Sequence, residues 1–110
     1  MSSEPGFTFY LALLFAGALL CNCIPHLAAG LRGELFPTPF ATPRGVGNSS
    51  PWVNTLWGFF NLLLGIYLLN GHSISAGLNP GCATLAVGAL VMGLYLSWHF
   101  GNVQRNRRAV

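Results

Sequence analysis

Charge is what this sequence has least of. Of its 110 residues only 6% are charged: Glu4 and Glu34 on the acidic side, Arg32, Arg44, Arg105, Arg107 and Arg108 on the basic side. That is too little to cover a soluble globular surface. Both glutamates fall outside the long apolar stretches, which excludes a proton relay or cation carrier built on intramembrane acids. The five arginines form no patch interleaved with aromatic residues, so a nucleic-acid partner is excluded as well.

Disulfides and nucleophiles are equally sparse. Cys21, Cys23 and Cys82 are an odd set lying inside apolar stretches and make no legible disulfide framework. Two residues apart on a helix, the Cys21 and Cys23 thiols point about 200° from each other, so no zinc site is expected from them. Ser49, Ser50, Ser73 and Ser75 lie in loops with no nucleophile elbow. The glycines are spaced for turns and helix packing, and no phosphate-cradling loop is present.

What remains is three apolar stretches, each led by a proline: about 5–24, 51–70 and 80–100. A length of about 20 residues is what one helix needs to cross a bilayer, and a helix satisfies its own backbone groups there. Proline suits the first helical turn because its missing N–H would be unpaired in any case. Ser50 and Asn79 stand just before Pro51 and Pro80, where a capping side chain belongs. The fold expected is all-α: one membrane domain over 1–110 with three transmembrane helices, surrounded by the lipid bilayer.

The stretch from Pro51 to Asn70 reads as the helix around which the rest is arranged. Asn54, Gly58, Asn61 and Gly65 fall along one narrow side, giving a close-packing, hydrogen-bonding front against a greasy back. Pro25 should kink or end the first helix; if the helix resumes, a kinked extension reaches about residue 31. Residues 32–50 form one long loop. Phe36 to Arg44 is rich enough in proline to suggest extended backbone, Gly45 to Ser50 reads as flexible turn, and Phe36 and Phe40 are placed at the inner membrane interface. In the third helix Cys82, Ala86, Ala89, Gly93 and Ser97 line one face with small side chains, and Gly101-Asn102 is expected to end it.

The arginines set an orientation. Arg32 and Arg44 lie in the first connection and Arg105, Arg107 and Arg108 in the C-terminal tail, while the second connection (residues 71–79, with His72) has none. The positive-inside rule then puts the N-terminus out and the C-terminus in, in a bacterial inner membrane or plasma membrane. Arg105, Arg107 and Arg108 are placed against lipid headgroups, at roughly 1 kcal/mol each. The start, Met-Ser-Ser-Glu-Pro-Gly, is acidic and unlike the basic lead of a signal peptide, so the first span is read as retained.

Polar residues inside spans are costly and draw functional readings. Asn54 and Asn61 read as either a site at mid-depth or interhelical hydrogen bonds, worth about 0.6 kcal/mol each. His26 and His99 should both approach the inner interface, where two imidazoles on different helices suit a haem or other metal centre. Arg32 and Glu34 at the membrane edge are candidates for headgroup binding or acid–base work, against the plainer reading of a solvated pair. No particular metal or cofactor is named by the sequence.

Three readings of function follow. The first is a non-catalytic subunit or assembly factor, packing through its small-residue faces as a homo-oligomer or within a larger membrane complex. The second is a small membrane enzyme or haem or metal protein with its site around His26 and His99. The third is an oligomeric pore lined by Asn54 and Asn61.

Overall fold

A computed structural model describes residues 5–71 and 77–108; Glu4 and the expectations for His72, Ser73 and Ser75 lie outside the described residues. The chain runs α1 (Phe7–Leu31), β1 (Phe36–Pro37), β2 (Asn48–Ser49), α2 (Pro51–Asn70) and α3 (Pro80–Arg108). The helices are 25, 20 and 29 residues long. At 1.5 Å per residue even the shortest reaches about 30 Å, the thickness of a bilayer's hydrocarbon core. All three are long and apolar enough to cross a membrane.

The helix starts are locally encoded. Ser50 Oγ accepts from the Val53 amide at 3.3 Å with Pro51 in the first turn, and Asn79 Oδ1 accepts from the Cys82 amide at 2.9 Å. Each cap satisfies one of the N–H groups a helix end leaves unpaired. The first helix begins at Phe7 instead of Pro5 and has no side-chain cap.

Two helix ends are set by tertiary contacts. α1 continues through Pro25 to Leu31, although the proline removes one backbone bond. The turns beyond it are held by α2: Leu27 packs on Gly58, and Gly30 abuts Pro51 and Thr55. α3 does not stop at Gly101-Asn102 but runs two turns further to Arg108. Glycine costs a helix about 1 kcal/mol here, yet Val103 is buried and Arg107 donates to Asn48 Oδ1 at 2.9 Å and to the Val46 carbonyl.

The central helix is α1, not α2. α1 packs along both α2 and α3, and among the described residues those two make no comparable seam with each other. Against α2 it runs antiparallel: Gly30 meets Pro51 and Thr55, Leu27 meets Gly58, and Leu20 meets Gly65. The whole row Asn54, Gly58, Asn61 and Gly65 is buried in this seam. Against α3 it runs parallel, and the two backbones touch through a reciprocal glycine pair. A Cβ on Gly17 would collide with the Leu85 carbonyl, and one on Gly88 with the Leu14 carbonyl. α3 therefore meets α1 through Gly88 together with Ala89 and Gly93 of the small-residue row, whose Ala86 and Ser97 stay exposed.

Apart from Leu13, the helices bury mainly small and amide side chains and turn most of their large apolar ones outward. Leu13, Ala16, Cys23 and Ala29 are buried on α1, while Phe15, Ile24, Trp52, Leu63, Tyr67 and Leu94 are exposed. A soluble monomer does not present so continuous an apolar exterior.

The loop between α1 and α2 is folded, not loose. β1 and β2 pair antiparallel, Phe36 opposite Ser49 and Pro37 opposite Asn48, so the proline-rich run closes on a narrow neck. The Thr38 carbonyl accepts from the Ala41 and Gly45 amides at 3.1 and 2.9 Å. Gly45 has φ +71°, where a side chain would be strained. Phe40 is exposed, whereas Phe36 turns inward onto His26 and Phe100.

Candidate functional site

The polar groups of α1 and α2 find each other in the α1–α2 seam. On α1, Asn22 and His26 are four residues apart and share a face. On α2, Asn61 and Asn54 lie opposite them. Asn22 Nδ2 donates to Asn61 Oδ1 at 3.0 Å, and Asn61 Nδ2 donates to the Trp57 carbonyl at 2.8 Å. His26 Nδ1 lies 2.8 Å from Asn54 Oδ1. Asn54 Nδ2 reaches the carbonyls of Phe36, Ser49 and Ser50 at 2.9, 3.3 and 3.1 Å. One buried amide thus clasps both strands of the loop neck and the start of its own helix.

These contacts fix the imidazole tautomers. Asn54 Nδ2 is committed to carbonyls, so Oδ1 faces His26 and can only accept; the proton is on His26 Nδ1. In the neutral ring Nε2 then carries a lone pair, and among the described residues it has no hydrogen-bond partner. His99 is the mirror case. Its Nε2 lies 2.7 Å from the Gly45 carbonyl, which can only accept, so Nε2 carries the proton and ties α3 to the loop.

His26 and His99 do come together, around a cavity of about 140 Å³ bounded by all three helices and the loop. Asn22 and Thr38 add polar wall, and Trp57, Tyr95, Leu96 and Phe100 add apolar wall. His26 is almost wholly buried, at 2% exposure. Its ring meets Phe36, Trp57 and Phe100 edge-on at centroid distances of 5.5, 6.4 and 6.3 Å. The Trp57 Nε1–H is the one buried side-chain polar atom without a partner among the described residues. Buried donors left unpaired cost about 1–3 kcal/mol, so this atom is a marked exception in an otherwise satisfied interior.

The cavity is close in size to an engineered cavity of about 150 Å³ that admits one benzene ring. A haem macrocycle is several times larger and does not fit between these residues. Among the described residues no three histidine, cysteine or acidic side chains converge on a point that could hold a metal ion.

Other expected site residues are elsewhere. Arg32 and Glu34 form an exposed ion pair at 2.7 Å, apart from the cavity. The hydrogen bond from Arg32, with its charge, holds the Glu34 carboxyl below the usual carboxylate range, and the same bond raises Arg32. Asn54 and Asn61 are 0% and 1% exposed and engaged with α1 and the loop, so they line no lumen. Gly58 and Gly65 lie against α1, whereas Ala86 and Ser97 are exposed and Cys82, Ala89 and Gly93 are half-buried. Arg105 and Arg108 are exposed, as is Arg107, whose guanidinium is used on the loop.

Sequence reasoning passed over Asn22, Trp57, Thr38 and Gly45. For Asn22 a signal existed: a second polar residue four before His26, on a helix otherwise apolar on that face. Trp57 follows Asn54 by one turn and shares its side. Thr38 and Gly45 carry no local signal, because only loop closure brings them here. No protein-family model matches the chain, and searches among curated proteins and solved structures return no match.

Proposed function

We propose that this chain is a three-span membrane protein, N-terminus out and C-terminus in, that serves as a non-catalytic subunit or assembly factor. It associates with a second copy or a larger membrane complex through the small-residue face of α3. One observation carries this reading. Internal packing consumes the Asn54–Gly65 row and, on α3, Gly88 with the inner edge of Ala89 and Gly93, yet Ala86 and Ser97 of the small-residue row are left exposed. In lipid, where apolar surface alone drives no association, such rows are what neighbouring helices approach.

The orientation is supported by the placement of the arginines. Contacts from His99 and Arg107 to the loop put the loop and the end of α3 at the same end of the bundle. Arg32, Arg44, Arg105, Arg107 and Arg108 therefore share that end, which the positive-inside rule assigns to the cytoplasm of a bacterial inner membrane or plasma membrane.

The test is the double variant Ala86→Leu, Ser97→Leu, since both positions are exposed and the fold itself does not use them. Native mass spectrometry from mild detergent should show the wild-type chain in an assembly and the variant reduced to monomer. A wild-type monomer, or an assembly indifferent to both leucines, overturns the reading.

A further inference from the structure

We propose that the cavity between α1, α2, α3 and the loop is a binding site for a hydroxylated aromatic ring. The size comes first: about 140 Å³ is room for a single six-membered ring. The wall comes second. Trp57, Tyr95, Leu96 and Phe100 bound it with apolar and aromatic surface, and aromatic pairs gain from edge-to-face contact as well as burial. The polar end decides the class. His26 Nε2 presents a lone pair and needs a donor, because Nδ1–H is already given to Asn54. A ring hydroxyl is such a donor.

A ketone or ether oxygen offers Nε2 no proton, and an unsubstituted ring offers none either. A charged ligand finds no counter-charge, since the wall contains no acid and no arginine. Such a ring has two sources: a free phenol, or the head of a membrane-soluble hydroquinone. Both place the same C–OH group at His26.

The experiment uses the full chain in lipid nanodiscs with ¹⁵N-labelled histidine, titrated with phenol. The His26 Nε2 resonance should shift saturably as its lone pair accepts a hydrogen bond. Anisole, which has the ring and the oxygen but no donor, should bind about tenfold more weakly, the worth of one lost hydrogen bond. Leu96→Phe, which fills the cavity from α3 without touching the His26–Asn54 bond, should abolish the shift while helix content by circular dichroism is unchanged. A decyl hydroquinone that binds at least tenfold more tightly than phenol identifies the membrane-soluble source, and equal affinity identifies a free phenol. No saturation with either compound, anisole equal to phenol, or binding untouched by Leu96→Phe overturns the proposal. None of these outcomes depends on the oligomeric state, so this proposal and the assembly reading fail separately.

Discussion

His26 of α1 and Asn54 of α2 meet at 2.8 Å, with the imidazole as donor and the amide oxygen as acceptor. That polarity follows from the other end of the amide, whose two hydrogens are shared among the carbonyls of Phe36, Ser49 and Ser50. The consequence spreads in two directions. The loop neck is held to the helices, and the free nitrogen of His26 is left as an acceptor beside the cavity.

Asn54→Leu should destabilise the protein by about 2–4 kcal/mol, because it strands a buried His26 N–H and removes the clasp on the neck. Thermal unfolding in detergent checks the magnitude, and limited proteolysis of residues 38–47 checks the mechanism. Asn61→Leu should cost less, about 1 kcal/mol, since it loses one interhelical bond with Asn22 and one to the Trp57 carbonyl of its own helix. An Asn54→Leu chain that melts like the native one and keeps its loop protected would show the clasp to be idle.

A cysteine at position 93 should cross-link to Cys21. A Cβ built on Gly93 stands 3.5 Å from Cys21 Sγ, within reach of disulfide geometry. In a background with Cys23→Ser and Cys82→Ser, mild oxidation of Gly93→Cys should remove two hydrogens in mass and leave the chain monomeric on a denaturing gel. If the thiols stay free, α1 and α3 are not in the register described.

The Arg32–Glu34 pair yields a prediction of sign and of smallness. A depressed carboxyl adds stability only above its unfolded-state pKa, and that contribution is lost as pH falls through the folded value. Both side chains are exposed, however, and solvent screens such pairs until little remains. Glu34→Gln should therefore leave the melting temperature unchanged at pH 7 and at pH 3. A drop confined to neutral pH would assign the pair a structural role after all.

Residue pattern alone determined a good deal about this protein. Three apolar helices, the caps at Ser50 and Asn79, and the inward row Asn54, Gly58, Asn61, Gly65 are all local properties. They depend on helical period, on the free N–H groups of a helix start, and on the cost of burying amides away from partners.

Tertiary structure decided which helix stands in the middle, that α3 meets α1 through Gly88, and that α1 survives Pro25. It also decided that α3 outlasts Gly101, that the proline-rich loop closes, and that His26 and His99 share a cavity. Each of these depends on partners far apart in the chain. His26 and Asn54 are separated by 28 positions, and His99 and Gly45 by 54. Periodicity along one helix says which face is buried, but not whose side chain waits on the other side. That is settled only when backbones approach closely enough, at Gly17 and Gly88, for the helices to lock in one register.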